Sequence, residues 1–225
     1  MMIGLLRELA GTTPAVLDLG SGPGSLARRV LDWLPGARVV AIDADPFLLE
    51  LGRQAVGVRE GSIRWVEADL RSDSWVEAAQ TWGPVDAALS TTALHWLSPG
   101  EQADFFARLA GLIRLGGVFV NGDHLTFDQG QKRIAAAAKA LQEEDAERDA
   151  AVHPAETWSE WWQAVEEEPA FAARMAERRS RWGGHPDYHP AGQALAMEAA
   201  LKQAGFTEVG TVWQQFENRV LVAVR

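Results

Sequence analysis

Residues 16–26, VLDLGSGPGSL, constrain the fold more than any other stretch of this chain. The mostly apolar run from Ala15 to Leu19 is too short for a stable helix and, closed by glycines, reads as a strand buried on both faces. Gly20, Gly22 and Gly24 then let the backbone turn tightly and approach a ligand with no Cβ in the way. A helical pattern starts at Ser25, so the amide end of that helix points at whatever the loop holds. Strand, glycine loop and helix in this order form a cradle for a nucleoside-containing cofactor.

The spacing separates two families of such loops. Dinucleotide binding favours G-x-G-x-x-G, whose third glycine allows close packing of helix on strand. Here that third place is Ser25, and the glycines run G-x-G-x-G behind Asp18. This arrangement resembles motif I of the class I S-adenosylmethionine-dependent methyltransferases. Later segments are similar to the same family. A second apolar strand, residues 38–42, ends in Asp43, roughly 20 residues past the loop, where an acid can accept bonds from both ribose hydroxyls. A third, residues 63–67, runs into Ala68, Asp69 and Leu70, which resemble the adenine pocket, with the acid near the exocyclic amine. A fourth, residues 85–90, leads into STTALHWL, similar to the segment lining the cofactor's reactive end, and LIRLGGVFV is close to L-[KR]-P-G-G before strand five. Leu115 stands at the usual proline, a position that shapes a turn and carries no chemistry. The resemblance implies S-adenosylmethionine as cofactor. It would be held by Asp18, Gly20, Ser21 and Gly22, by Asp43 and Ala44, by Ala68, Asp69 and Leu70, and by Ser90. Asp18 is expected to anchor the loop and face the cofactor's amino end.

Strands alternating with helical stretches up to Gly122 indicate βαβ units, hence a doubly wound α/β fold with a mostly parallel sheet. After a helix from about residue 190 to 204, two β-rich runs at 209–216 and 220–224 make a C-terminal antiparallel hairpin. The resemblance implies seven strands, the last inserted beside strand five. A chain of 225 residues, 47% apolar, is expected to form one domain: a core of 12–123 and 190–225 with a helical insertion at 124–189 after strand five. No apolar run is long enough to span a bilayer and the N-terminus lacks a signal-peptide layout, so a cytoplasmic protein off the membrane is expected. The absence of cysteine excludes disulfides, thiolate metal sites and a cysteine nucleophile. A net charge of −10 argues against nucleic acid, which is bound largely by Lys and Arg on phosphates, and favours a small-molecule partner. The chain is expected to be a monomer or homodimer.

The insertion reads as three helices: residues 131–150, a second led by the capping-box pair Thr157 and Glu160, and a third from Pro169 to about Arg181. Trp158, Trp161, Trp162 and Val165 fall at helical spacing, which is usually a packing stripe. Because such insertions leave the sheet where doubly wound folds bind ligands, Trp158 and Trp162 are also candidates to face substrate, with Trp96. Only 14 residues precede the first strand, fewer than the helical N-terminal cover of many relatives. The insertion, or a partner chain, is therefore expected to carry more of the enclosure as a lid. Arg174, Arg178, Arg179 and Arg181 read mainly as a solvated face paired with Glu177, while an inward guanidinium such as Arg178 would suit an acidic substrate. ALHWL loosely resembles the trans-aconitate methyltransferases, whose substrate is a polycarboxylate. Ser90, Thr91 and Thr92 stand where an N-P-P-Y-like segment would lie, which argues against methylation of an exocyclic base or glutamine amide.

Methyl transfer from a sulfonium is an in-line displacement, and positioning alone can supply effective molarities of about 10⁵ M. For a hydroxyl or ammonium acceptor a base helps, and His is suited to that role. His95 after strand four and His124 after strand five are the candidates, each equally readable as a loop-holding side chain. His153 reads as solvent-facing. His185, Tyr188 and His189 lie in a turn of glycines and prolines; two histidines four apart suit a metal on a helix, which the prolines oppose, so no metal is expected. Tyr188 remains a candidate substrate contact. Two other classes stay open: a cofactor-binding sensor or scaffold without turnover, and a protein or RNA methyltransferase completed by its partner. A nicotinamide enzyme fits least. Asp43→Ala is expected to lose about 1.5–3 kcal/mol of hydrogen bonding to a charged acceptor, about tenfold or more in S-adenosylmethionine affinity by calorimetric titration.

Overall fold

Five aliphatic runs form parallel strands: β1 (Ala15–Leu19), β2 (Arg38–Asp43), β3 (Ile63–Glu67), β4 (Val85–Thr91) and β5 (Ile113–Thr126). The computed structural model describes residues 1–57, 59, 61–80, 83–152, 156–182 and 192–225. Helices α1 (Met2–Ala10), α2 (Ser25–Trp33), α3 (Pro46–Val56), α4 (Ser74–Ala79) and α5 (Pro99–Leu112) precede or connect these strands. A two-residue strand β6 (Gly192–Gln193), helix α9 (Ala194–Gln203) and strands β7 (Glu208–Gln215) and β8 (Asn218–Val224) follow a helical stretch. Along the sheet the order is β3-β2-β1-β4-β5-β8-β7, with β6 pairing off this path with the end of β5. The seven-stranded doubly wound sheet with its reversed edge is therefore present, β8 running antiparallel to both β5 and β7.

Period-two alternation distributes the core over both faces of the sheet. Leu17, Leu19, Ala88, Phe119 and Leu221 point to one side, where they meet Phe105, Phe106 and Leu109 of α5 and Met197 and Leu201 of α9. Val16, Ala87, Leu89, Val120 and Val222 point to the other, against Leu6 of α1 and Ala27, Val30 and Leu31 of α2. Every residue of β1 is buried as a result.

Two details differ from the sequence expectation. Strand β5 continues to Thr126, so His124 lies within the strand, paired with Asn218, and does not open the insertion. The antiparallel partner β8 holds that end in the ladder, a long-range pairing invisible to local pattern. The last helix begins at Ala194, because Gly192 and Gln193 extend to pair with Leu125 and Thr126.

The chain divides into two compact units, Met1–Thr126 with His189–Arg225, and Phe127–Tyr188. The second holds α6 (Lys132–Val152), α7 (Trp158–Glu167), a 3-10 turn at Pro169–Phe171 and α8 (Ala172–Trp182). Thr157 and Glu160 cap α7 reciprocally, each side chain accepting from the other's backbone N–H at 3.2 and 2.7 Å. Trp162, Val165 and Met175 are buried, while α6 shows the thin apolar face expected of its Ala-rich sequence.

Phe119 lies between Phe106 and Phe206, with ring centroids at 5.7 and 6.5 Å, and is fully buried. Phe119→Ala is expected to destabilise the chain by about 3–5 kcal/mol through lost burial and the cavity left behind. A urea titration followed by tryptophan fluorescence would show the fall in midpoint.

Candidate functional site

Strand order reverses between β1 and β4, and the carboxyl ends of β1 to β5 gather along one edge, the place where doubly wound sheets leave a ligand crevice. The loop after β1 takes left-handed backbone at Gly20, Gly22 and Gly24, with φ of 66°, 52° and 77°. Gly20 and Ser21 both donate their N–H to the carbonyl of Ile42, at 2.9 and 3.0 Å. A Cβ at Gly20 would collide with that of Ala93, and one at Gly24 with the ring of Trp65. At Gly22 an added Cβ would meet Leu48 Cδ1 at 4.0 Å, an ordinary contact distance.

Asp18 sits on the face of β1 that carries Val16, and this aims its carboxylate at α2. Its Oδ2 accepts from Ala27 N–H at 2.9 Å, supplying the first turn of α2 with a partner that the N-cap Gly24 cannot. Burial pushes the Asp18 carboxyl up to about 7; the Ala27 bond opposes the shift and the nearby charge of Asp43 adds to it.

At the end of β2, Asp43 Oδ2 accepts from Gly22 N–H at 2.7 Å and Oδ1 from Asp45 N–H at 2.8 Å. An ionised carboxylate offers about four lone-pair sites, so two backbone bonds leave capacity for a ligand's hydroxyls. Burial raises the Asp43 carboxyl, with the backbone N–H groups of Asp45, Gly22 and Ala44 pulling the other way. Ala44 links it to Asp45, which caps α3 by accepting from Phe47 and Leu48 N–H. The end of β3 is tied in by the bond from Ala68 N–H to the Asp43 carbonyl, 3.0 Å. Asp69 forms a forked ion pair with Arg71, 2.9 Å from Nε and 2.6 Å from the terminal nitrogen, which holds its carboxyl below the usual range. The Leu70 carbonyl accepts from Trp75 Nε1 at 3.1 Å. Ser90 is fully buried and donates its hydroxyl to the carbonyl of Leu19, bracing β1 against β4 at 2.8 Å. Ser21 Oγ is buried with no hydrogen-bond partner among the described residues. An unpartnered hydroxyl in a strapped glycine loop fits a polar ligand.

Thr92 adopts φ 48°, a left-handed conformation uncommon for a β-branched residue, and donates its N–H to the Gly122 carbonyl at 2.9 Å. This bend turns the chain after β4 into the 3-10 turn Leu94–Trp96. There His95, 6% exposed, places Nδ1 2.6 Å from Asp123 Oδ1. Asp123 also accepts the backbone N–H of His95 at 3.2 Å and of His124 at 2.8 Å. Sequence reading missed Asp123; its signal was an acid alternating with Phe119, Asn121 and Leu125 on the buried face of β5. The His124 ring lies 6.1 Å from that of His95, and Trp96, partly exposed, 5.4 Å from it. Trp158, Trp162 and Arg178 belong to the unit Phe127–Tyr188. Trp162 is buried with the Arg178 guanidinium 4.3 Å over its ring, while Trp158 is exposed and stacks on Trp161. Arg174 and Arg181 both pair with Glu177. His153, His185, Asp187, Tyr188 and His189 lie outside the described residues. Among the described residues no three His, Asp or Glu side chains converge in a metal-holding group, and no helix is long and apolar enough to cross a membrane.

Residues 16–117 match the family described as a methyltransferase domain. The chain is 32% identical over 133 residues to trans-aconitate 2-methyltransferase of Azoarcus sp. (strain BH72), a match covering 57% of this chain and 48% of that one. It is 26% identical over 159 residues to malonyl-[acyl-carrier protein] O-methyltransferase of Anoxybacillus flavithermus, covering 70% and 57%. The chain thus spans about half the length of these relatives. Among solved structures, magnesium protoporphyrin IX methyltransferase of Synechocystis PCC 6803 with bound S-adenosylhomocysteine superposes with a TM-score of 0.56, at 16% identity, over 100% of this chain and 80% of that one. The fold is that of the class I methyltransferases.

With Asp18 titrating at about 7 in the folded chain against 3.8 for a free carboxyl, the folded state binds more protons between those values, and stability falls as pH rises through that window. Asp18→Asn removes this slope. The melting temperature of the variant relative to wild type is expected to be level below about pH 4, to rise in the variant's favour towards pH 7, and to level off above. Thermal melts of both proteins across this range check it.

Proposed function

We propose that this chain, whose residues 16–117 match a methyltransferase domain, transfers the methyl group of S-adenosylmethionine to a small-molecule acceptor. The observation that carries the reading is Asp43, which braces the glycine loop through Gly22 N–H while keeping acceptor capacity at the strand end where a ribose would lie. When bound, the cofactor supplies a methyl on a good leaving group, so the protein's work is to hold the acceptor in line with it. Gly20, Ser21 and Gly22 would receive the cofactor's amino-acid end, with Asp18 setting the loop from beneath. Asp43 and Ala44 would take the ribose, and Ala68, Asp69 and Leu70 the adenine, the Asp69 carboxylate being aimed by Arg71. Ser90 would shape the floor near the reactive end through its bond to Leu19. His95 and His124 stand as the groups to receive a proton.

The names of the relatives keep an acidic acceptor in view. The excess of acidic residues supports a partner other than nucleic acid, and a cytoplasmic setting is part of the proposal. A monomer or homodimer would suffice for such a site.

Calorimetric titration with S-adenosylmethionine, S-adenosylhomocysteine and NADH tests the proposal. Micromolar binding of the first two and none of NADH is expected. NADH binding alone would overturn it, and tight cofactor binding with no turnover on any acceptor would favour a sensor.

A further inference from the structure

We propose that Asp18 and Asp43 make the cofactor site selective for charge: the pair carries one proton in the free protein, and Asp18 gives it up when a positively charged cofactor binds. The methyl-bearing sulfonium is thereby preferred over the uncharged thioether left after transfer. The inference rests on the proposed methyl transfer and specifies which charge state of its cofactor the site takes. The two carboxylates flank the glycine loop from β1 and β2. Asp18 Oδ2 accepts Ala27 N–H at 2.9 Å, whereas Asp43 accepts Gly22 N–H at 2.7 Å and Asp45 N–H at 2.8 Å. Among the described residues neither carboxylate forms an ion pair, and the charges on the surrounding elements are committed elsewhere. Arg7 and Glu8 of α1 are exposed and pair with each other, and Arg28 and Arg29 of α2 are exposed, Arg28 lying on Asp32. Arg53 of α3 pairs with Glu50, and Arg71 beyond β3 is forked onto Asp69. Asp86 of β4 serves Ala15 N–H and Arg114 at the other end of β1. Asp45 adds negative charge beside Asp43, and Glu67, opposite Asp43 in the ladder, is exposed.

Two neighbouring carboxylates withdrawn from water, with no cation beside them, are costly to keep ionised together. Asp18 is the one that keeps the proton. It is 1% exposed and has one backbone donor for its two oxygens, while Asp43 is partly exposed and has a donor on each. The rise of the Asp18 carboxyl to about 7 through burial, opposed by Ala27 N–H and increased by Asp43, agrees with this placement. A separate observation lies in the same loop: Ser21 is 8% exposed and its hydroxyl has no hydrogen-bond partner among the described residues, a polar group that ligand atoms would satisfy. A positive charge near so enclosed a pair is screened little and favours the ionised form of Asp18. The carboxylic acid becomes a carboxylate, its proton passes to solvent, and no bond of the cofactor changes. Affinity for the sulfonium therefore rises with pH up to the range where Asp18 ionises unaided. The thioether carries one positive charge fewer, so its binding expels less of the proton.

Calorimetric titrations at about pH 6, in buffers of different ionisation enthalpy, count the protons exchanged while both ligands keep their α-ammonium. The wild-type protein should release about half a proton or more on binding S-adenosylmethionine and clearly less on binding S-adenosylhomocysteine. Between about pH 5.5 and about pH 7 the ratio of the two affinities should move towards S-adenosylmethionine by about threefold or more. Asp18→Asn keeps an acceptor for Ala27 N–H and should bind both ligands with almost no proton release and a ratio that no longer depends on pH. Proton uptake or no exchange in the wild type, equal release with the two ligands, or unchanged release in Asp18→Asn would overturn the inference. Should the variant fail to fold or bind, the wild-type difference between the two ligands decides alone. Failure of the wild type to bind either ligand removes the proposed methyl transfer, whereas binding without proton release removes only the charge selectivity.

Discussion

Three backbone donors strap the glycine loop to strand β2: Gly20 and Ser21 N–H on the Ile42 carbonyl, and Gly22 N–H on the Asp43 carboxylate. Without these ties a loop of left-handed glycines would carry considerable backbone freedom. With them the loop has one shape, and that shape dictates what can lie beside it. Ala93 must be small because it meets Gly20, and Gly24 must lack a Cβ because Trp65 of β3 fills its place. Asp18 completes the arrangement from below by holding the first turn of α2. The candidate site is thus a consequence of how β1, β2 and α2 are joined.

The same strapping reaches the chemistry through β4 and β5. The chain leaving β4 is bent by Thr92 and bonded to Gly122, which delivers His95 to the carboxylate of Asp123. Asp123 can be there only because β8 inserts antiparallel beside β5 and extends its ladder beyond Gly122, with Asp123 opposite Arg219 and His124 opposite Asn218. The reversed edge lengthens the strand that carries Asp123.

Much of the frame was legible from residues alone, for a local reason. Strands β1 and β3 and the start of α2 appear at the residues read from sequence, because a short apolar run closed by glycine or acid has few other solutions. The capping pair Thr157 and Glu160 was equally readable, since its partners lie within one turn. The His124 position was misjudged where its strand partner is 94 residues away in sequence, at Asn218.

By itself, then, the sequence determined the βαβ order, the glycine loop with its following acids and the C-terminal hairpin, all of them set by periodicity, chain reversal and the steric freedom of glycine over a few residues. Only the tertiary structure decided which polar groups meet. The Asp18 carboxylate on Ala27 N–H, Arg71 forked onto Asp69, Ser90 on the Leu19 carbonyl and Asp123 on His95 are choices made by strand register and by burial. A buried polar group must find a partner, and which partner it finds depends on neighbours brought together from distant parts of the chain.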